Sequence, residues 1–390
     1  MGKAPSAEKL AEIVRRTSAY FCIDCSKCTG SCPVGKVGSV YSPRGLVQHL
    51  MLDGRDPSET ELWRCLTCGL CRERCPSDVD FPGFIQSLRE IALDGGSRPQ
   101  NTHGGVMQEL MHLMAGRGIH QKRTGWLPDW VEVLEEDKEE DKSEDVYFVG
   151  CAPYYDIVFE GFHLDLKATH EGALHLLREY GVTPAVMANE CCCGHDALWA
   201  GDRRLFEKLA KRNVELFRRA GAKRVFVSCP EGYYTFTHDY ATYLGGLDIE
   251  FVNTLKFLAD ESPVLSGIDG EVRVTYHDSC RMGRFSRLYE EPRKIIGSVG
   301  GVSLCEMEFS REQAPCCGSN LWVACDSVSK KMQYELLDAA RATGCEVLLT
   351  ACDKCRIHLA CAQMENGSVG NGIKTESILG FLHRKGVRKS

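Results

Sequence analysis

"CCGSNLWVACD", Cys316 to Asp326, has a near copy earlier in the chain: "CCGHDALWAGD", Cys192 to Asp202. Outward from these stretches the neighbourhoods keep matching, in the same order. "VYFVGC" (Val146–Cys151) answers "VTYHDSC" (Val274–Cys280), and "RRAGAKRVFVSCPEG" (Arg218–Gly232) answers "ARATGCEVLLTACDKC" (Ala340–Cys355). A period of roughly 125 residues is too long for a solenoid and marks two copies of one unit packed as a pseudo-dimer. Each copy reads as α/β. "RVFVS" (Arg224–Ser228) and "EVLLTA" (Glu346–Ala351) are short apolar runs suited to buried parallel strands. Before the first, Leu205, Leu209, Leu216 and Phe217 share a helical face, with Gly221 at the C-cap. Cys151, Cys229, Cys280 and Cys352 then stand where strands end, the edge at which open parallel sheets bind ligands.

The chain has 390 residues, enough for two or three domains, and is 43% hydrophobic and 26% charged. A net charge of -7 argues against a nucleic-acid surface. The acidic run "EEDKEEDKSED" (Glu135–Asp145) reads as a solvated linker. The outlying feature is 22 cysteines. "MGKAPSAEKLAEIVRR" lacks the apolar core of a signal peptide, and no stretch approaches the ~20 apolar residues of a membrane span. The expected compartment is a reducing cytoplasm, where clustered cysteines point to metal rather than disulfides.

Two runs near the N-terminus give the metal. "CIDCSKCTGSCP" places Cys22, Cys25, Cys28 and Cys32 at C-x2-C-x2-C-x3-C-P, and "CLTCGLCRERCP" repeats the spacing with Cys65, Cys68, Cys71 and Cys75. This is the bacterial-ferredoxin run for a [4Fe–4S] cubane, whose fourth cysteine crosses to the other cluster. One cubane is expected on Cys22, Cys25, Cys28 and Cys75, the other on Cys65, Cys68, Cys71 and Cys32. Paired zinc hooks are the alternative. "PRGLVQHLML" (Pro43–Leu52), between the runs, and "FPGFIQSLREIAL" (Phe81–Leu93), after them, read as helices, giving a helical ferredoxin domain.

In the second copy Cys280, Cys316, Cys317, Cys352 and Cys355 follow C-x35-CC-x34-C-x2-C. A cubane needs four ligands, so the fifth thiol suggests an unusual iron or a bridging thiolate. Here the chain resembles the CCG-domain pair of the B-type heterodisulfide reductase subunit. Its first part, with "CTGSCP" and "LWRCLTCGLCRERCPSDVDFPG", resembles the C-type subunit, the two joined in one chain as in the fused D type. The resemblance implies a noncubane [4Fe–4S] cluster on Cys280, Cys316, Cys317, Cys352 and Cys355 that acts on a disulfide or thiol. In the first copy Cys151, Cys192, Cys193 and Cys229 match, but Gly232 stands where the fifth cysteine belongs. Those four thiols, with Cys191 beside them, either hold a further [4Fe–4S] cluster or persist as a relic of duplication. Cys305, Cys325, Cys345 and Cys361 read as small buried hydrophobes.

The expected architecture is therefore an α+β multidomain protein. Residues 1–95 form the helical two-cluster domain, 96–145 a linker or docking segment, 146–270 an incomplete CCG repeat and 271–390 a complete one. His277, ahead of Cys280, is a candidate proton donor, and His195 holds a comparable place after the first CCG. Lys354, between two ligands, is a candidate for stabilising a reduced cluster or attracting an anionic substrate. The resemblance implies an oxidoreductase subunit of anaerobic metabolism in a larger redox complex. No G-x-G-x-x-G follows a strand, so its electron donor or acceptor is expected to be a flavoprotein like the A-type heterodisulfide reductase subunit. Two alternatives stand beside this: a pure relay in an electron-bifurcating complex, for example one coupled to acyl-CoA reduction, and the iron–sulfur subunit of a quinone-linked glycolate, lactate or glycerol-3-phosphate dehydrogenase.

Overall fold

The computed structural model describes residues 7–38, 41–52, 59–116, 126–136, 138–365 and 372–390. The sequence expectations that rest on Met1–Ser6, on residues 117–125 of the linker and on Asp137 of the acidic run lie outside them. The strands are β1 (Val133–Leu134), β2 (Asp145–Phe148), β3 (Val186–Met187), β4 (Arg224–Val227), β5 (Glu250–Asn253), β6 (Val272–His277), β7 (Val302–Leu304), β8 (Val347–Thr350) and β9 (Lys374–Ser377). Every pairing between them is parallel. The second repeat has the order β7-β6-β8-β9. The first has β2-β4-β5, and a Val146–Ala185 bridge brings β3 alongside β2, with β1 beyond it. Equivalent strands thus run 3-2-4-5 and 7-6-8-9. β8 is buried along its whole length, as a strand covered on both faces must be.

The repeats are locked by exchange of helices. Helix Lys167–Glu179 of the first packs on Ile378–Arg384 of the second, and Thr254–Asp260 packs on Glu290–Gly297. In both crossings the helix leading into a repeat's second strand meets the last helix of the other repeat. The first crossing is close enough to need glycine: a Cβ on Gly172 would collide with the Leu379 carbonyl. Tyr147 and Phe226 share one apolar core with Tyr276, Leu349 and Ile378. Each such side chain contributes roughly 1.5–3 kcal/mol by leaving water.

The N-terminal domain is helical. Its longest helix, Phe81–Asp94, is capped by Asp80, which accepts from Gly83 N, and buries Phe84, Ile85 and Leu88. Pro43–Leu52 is a helix, as its sequence predicts. Arg89, fully buried, fastens this domain to the repeats by donating to the carbonyls of Leu62, Trp63, Cys65 and Trp199. Asn320 adds a 2.6 Å bond to the Trp63 carbonyl.

The segment between the two parts is a packed strap where it is described. Thr102 N and Gln108 donate to the Trp322 carbonyl in the second repeat. Met111, Met114 and Leu134 enter the core of the first. The acidic run is tied down at both ends, Glu136 by Arg212 and Asp145 by Arg224. Among the described residues no helix is long and apolar enough to cross a membrane.

Candidate metal centres

Three groups of cysteines each line a cavity. Cys22, Cys25, Cys28 and Cys75 share the first, with Cys71 at its wall. Cys32, Cys65, Cys68 and Cys71 share the second, closed by Tyr41 and Phe81. The last cysteine of each run thus sits with the other run. Backbone amides already point at sulfur: Thr67 N donates to Cys65 Sγ and Val79 N to Cys75 Sγ, both at 3.4 Å. Cys25 is exposed, whereas Cys32, Cys65 and Cys68 are buried.

The third cavity is lined by Cys280, Cys316, Cys317, Cys352 and Cys355. Cys280 follows β6 and Cys352 follows β8, the adjacent strand, while the Cys316–Cys317 pair lies on the connection after β7. The chain can turn away at once because Gly318 has φ +77, and a Cβ there would approach the Ser329 carbonyl to 2.9 Å. Cys355 Sγ and Cys317 Sγ are 3.0 Å apart. The thiol of Cys317 is held well below its usual range by hydrogen bonds from Cys316 and Cys355, and the thiol of Cys316 is pushed well above. The His277 ring is 1% exposed, and neither nitrogen has a hydrogen-bonding nitrogen or oxygen partner. It faces the sulfurs of Cys317 and Cys355, the three ligand atoms all within 4.8 Å of one another.

The second and third cavities abut. Leu66 and Thr67 line both. The Cys68 thiol, lowered to about 6, owes most of that to a hydrogen bond from Cys316 and then to Arg284.

Around the third cavity lies a chain of buried ions. Arg281 Nε donates to His195 Nε2 at 2.8 Å, and His195 Nδ1 is 2.9 Å from Asp196. Lys354 Nζ completes it, 2.5 Å from Asp196 and 2.8 Å from Glu231. Burial opposes both charges. Lys354 and Asp196 nonetheless hold each other ionised, the ammonium well above its usual value and the carboxyl below its own. Lys354 is 3% exposed. It lines the cavity, and its charge is shared with two carboxylates of the other repeat. Glu231 and Lys354 occupy matching places in "CPEG" and "CDKC", so the pair closes across the pseudo-two-fold.

In the first repeat Cys151 follows β2, Cys229 follows β4 and the Cys192–Cys193 pair follows β3. Cys151 Sγ and Cys192 Sγ are 3.5 Å apart. Gly232 supplies a backbone N–H, 3.5 Å from Cys229 Sγ, where its counterpart Cys355 has a thiol. The Cys191 thiol is engaged elsewhere, on Leu209 O and Asn213 Oδ1. Sequence reasoning passed over Arg281, Arg284, Asp196 and Glu231. The signal for the arginines was present: "CRMGR" (Cys280–Arg284) stands against "CAPYY" (Cys151–Tyr155).

Residues 146–237 and 274–360 match the CCG family, described as a cysteine-rich domain, and residues 18–79 match a 4Fe-4S dicluster domain. The chain is 28% identical to the B subunit of "Fumarate reductase (CoM/CoB)" of Methanothermobacter marburgensis, over 93% of this chain and 71% of that protein. It is 25% identical to the D subunit of "Dihydromethanophenazine:CoB--CoM heterodisulfide reductase" of Methanosarcina barkeri, over 87% of this chain and 88% of the relative. With "EtfAB:quinone oxidoreductase" of Syntrophomonas wolfei identity is 26%, and the chain spans 54% of that protein's length. These relatives are oxidoreductases or their subunits. A crystal structure of a hypothetical protein from Helicobacter pylori has the same fold at TM-score 0.55 and 11% identity, covering 98% of this chain and 73% of the other.

Proposed function

We propose that the chain, an iron–sulfur protein like the D subunit of heterodisulfide reductase, serves as the electron-transferring, disulfide- or thiol-acting subunit of a larger redox complex. In this reading Cys22, Cys25, Cys28 and Cys75 hold one [4Fe–4S] cubane and Cys32, Cys65, Cys68 and Cys71 a second. Cys280, Cys316, Cys317, Cys352 and Cys355 hold a noncubane [4Fe–4S] cluster. The observation that carries it is the five-cysteine cavity lying directly against Cys68. Such clusters supply one-electron storage and transfer on sulfur-ligated iron.

The chain's own residues do the rest. His277 has a ring N–H free to donate to the sulfurs of Cys317 or Cys355, and it is the candidate proton source for a departing thiolate. Leu66 and Thr67 of the N-terminal domain wall the site. Repeat 1 offers four thiols and no fifth, so it holds no second noncubane cluster. In the N-terminal domain Cys25 is exposed, and its sequence neighbours Tyr20, Phe21 and Ile23 are open to solvent. That face suits a flavoprotein partner exchanging electrons there. Chemistry of this kind needs a reducing compartment, which we take to be the cytoplasm.

One feature favours a second reading, a relay with no substrate of its own: Lys354, a cation lining the reactive cavity, is neutralised by Asp196 and Glu231. Iron analysis and EPR of anaerobically purified protein, with and without added thiol during an oxidative titration, separate the two. The disulfide-acting reading expects about twelve irons per chain and a new signal on adding thiol. About sixteen irons with no thiol response would overturn it in favour of the relay.

A further inference from the structure

Arg281 and Arg284 are 2% and 4% exposed and lie on the domain boundary. They belong to the π-helical turn Arg281–Phe285 that starts directly after Cys280. Both reach into the loop that carries Cys65 and Cys68. Arg281 donates to Thr67 O at 2.7 Å and to Thr67 Oγ1 at 3.1 Å. Arg284 donates to Cys68 O and to Ala314 O, both at 2.7 Å. Neither has a carboxylate partner among the described residues: their acceptors are backbone carbonyls, a threonine hydroxyl and the imidazole of His195. Arg281 is further sandwiched by rings, 4.3 Å from the Trp199 centroid and 3.9 Å from that of Phe285. Arg284 Nη2 is buried with no hydrogen-bond partner at all.

A buried guanidinium without an anion is expensive, since desolvation costs several kcal/mol per ion unless a counter-charge offsets it. The ionisable groups facing Arg284 are the thiols of Cys68, Cys280 and Cys316, with the Tyr289 phenol behind them. Cys68 belongs to the second cysteine group and the other two to the third. Bonded to Cys68 O and set on the turn that follows Cys280, the guanidinium lies between two sites that would carry negative charge once their thiolates bind iron, and more of it when reduced. The first repeat has no such cation, since Ala152 and Tyr155 stand at the matching positions.

We propose that Arg284, with Arg281 beside it, is the fixed counter-charge of the two iron–sulfur sites meeting at this boundary. As a positioning residue it favours their reduced states, so that electrons arriving from the N-terminal domain settle next to the substrate site. The inference rests on the cluster assignment above. One electron is added to a cluster without a proton, and the guanidinium offsets the added charge.

The test is an EPR-monitored redox titration of the anaerobically purified, loaded protein, with iron counted on each sample. At the poise where wild-type signals are half developed, Arg284→Met is expected to lower the reduced-to-oxidised ratio at least tenfold, about 59 mV for a one-electron couple. Arg284→Lys, which keeps the charge and loses the fork, is expected to stay within threefold of wild type. If Arg284→Met sheds iron, Arg281→Met is titrated in its place with the same expected direction. Full iron with unshifted signals in the methionine variants, or equal shifts in Met and Lys, would overturn the proposal. Wild-type protein without clusters would instead sink the functional reading on which it rests.

Discussion

The two repeats share a strand order, a cysteine after each of their two central strands and a glycine after each cysteine pair, yet their cysteine sites differ. In the second, five thiols converge, two arginines follow the first of them, and Cys316 pulls the Cys280 and Cys317 thiols below the ordinary range while its own thiol and that of Cys355 are pushed well above it. In the first, four thiols face a backbone amide at the fifth position, and the thiols of Cys151 and Cys192 lie well above the ordinary range. Duplication preserved the scaffold that brings sulfur to the sheet edge. What differs is the set of residues that makes a cluster worth holding there: a fifth ligand and a buried positive charge.

The strongest way to break this comparison is to remove the same cysteine from each side. Cys317→Ala is expected to lose about four of about twelve irons and to cut disulfide- or thiol-linked turnover by two orders of magnitude or more. Cys192→Ala is expected to leave both close to wild type. Equal losses from the two variants would show the repeats to be functionally alike. A gain-of-ligand variant comes next. Gly232 has no unusual backbone conformation, and its added Cβ would meet nothing closer than Val227 Cγ1 at 3.3 Å. Gly232→Cys is therefore expected to fold and to raise iron from about twelve towards about sixteen per chain. If iron stays at about twelve, the repeat lacks more than a ligand, and the missing arginines become the explanation.

Much of this was legible in the sequence. The internal repeat, the strand-end position of Cys151, Cys229, Cys280 and Cys352, and the crossing of Cys32 and Cys75 between the two runs follow from local patterns and spacing, and the cavities group the cysteines accordingly. Helix Arg203–Ala220, with Asp202 as cap and Gly221 at φ +70, follows from its periodicity. Contacts between repeats were not legible. Nothing in "CPEG" or "CDKC" says that Glu231 and Lys354 face each other, because that depends on how the pseudo-two-fold is packed. The strap was missed for the same reason: Met107, Met111 and Met114 look like any short amphipathic stretch until the partners are known. Cys191 was misleading in its own way, since adjacency to a cysteine pair suggested a ligand whereas Asn213 holds it in the core.

The Glu231–Lys354 pair offers a third test, one of stability. Lys354→Met leaves Asp196 and Glu231 facing each other in a buried site, where breaking one side of an ion pair costs about 3–5 kcal/mol. Denaturant unfolding under anaerobic conditions reads it, with Cys317→Ala as a control for cluster loss. Because the Asp196 carboxyl lies below its ordinary value, the contribution of the Asp196–Lys354 pair is complete above about pH 4 and is lost as pH falls through the lower folded value. The gap between wild type and Lys354→Met is thus expected to narrow in acid. A gap that stays constant down to about pH 3 would mean that the lysine acts through packing alone.

The smallest expected difference lies at a matched pair of helix caps. Asp202 opens Arg203–Ala220 in the first repeat by accepting from Leu205 N at 2.9 Å. Asp326 opens Ser327–Ala342 in the second by accepting from Val328 N at 2.9 Å and Ser329 N at 3.2 Å. Asp326 also meets Arg64 of the N-terminal domain at 3.2 Å, in a part-exposed pair. Losing a cap costs about 1 kcal/mol, and an ion pair this open adds only about 0.2–1 kcal/mol. Asp202→Ala is therefore expected to cost about 1 kcal/mol whatever the salt concentration. Asp326→Ala is expected to cost slightly more at low salt and to converge on the same value when screening removes the Arg64 contribution. If Asp326→Ala were the more costly by several kcal/mol in high salt, the N-terminal domain would lean on this cap for more than charge. The second repeat would then be distinguished by the domain it carries as well as by its thiols.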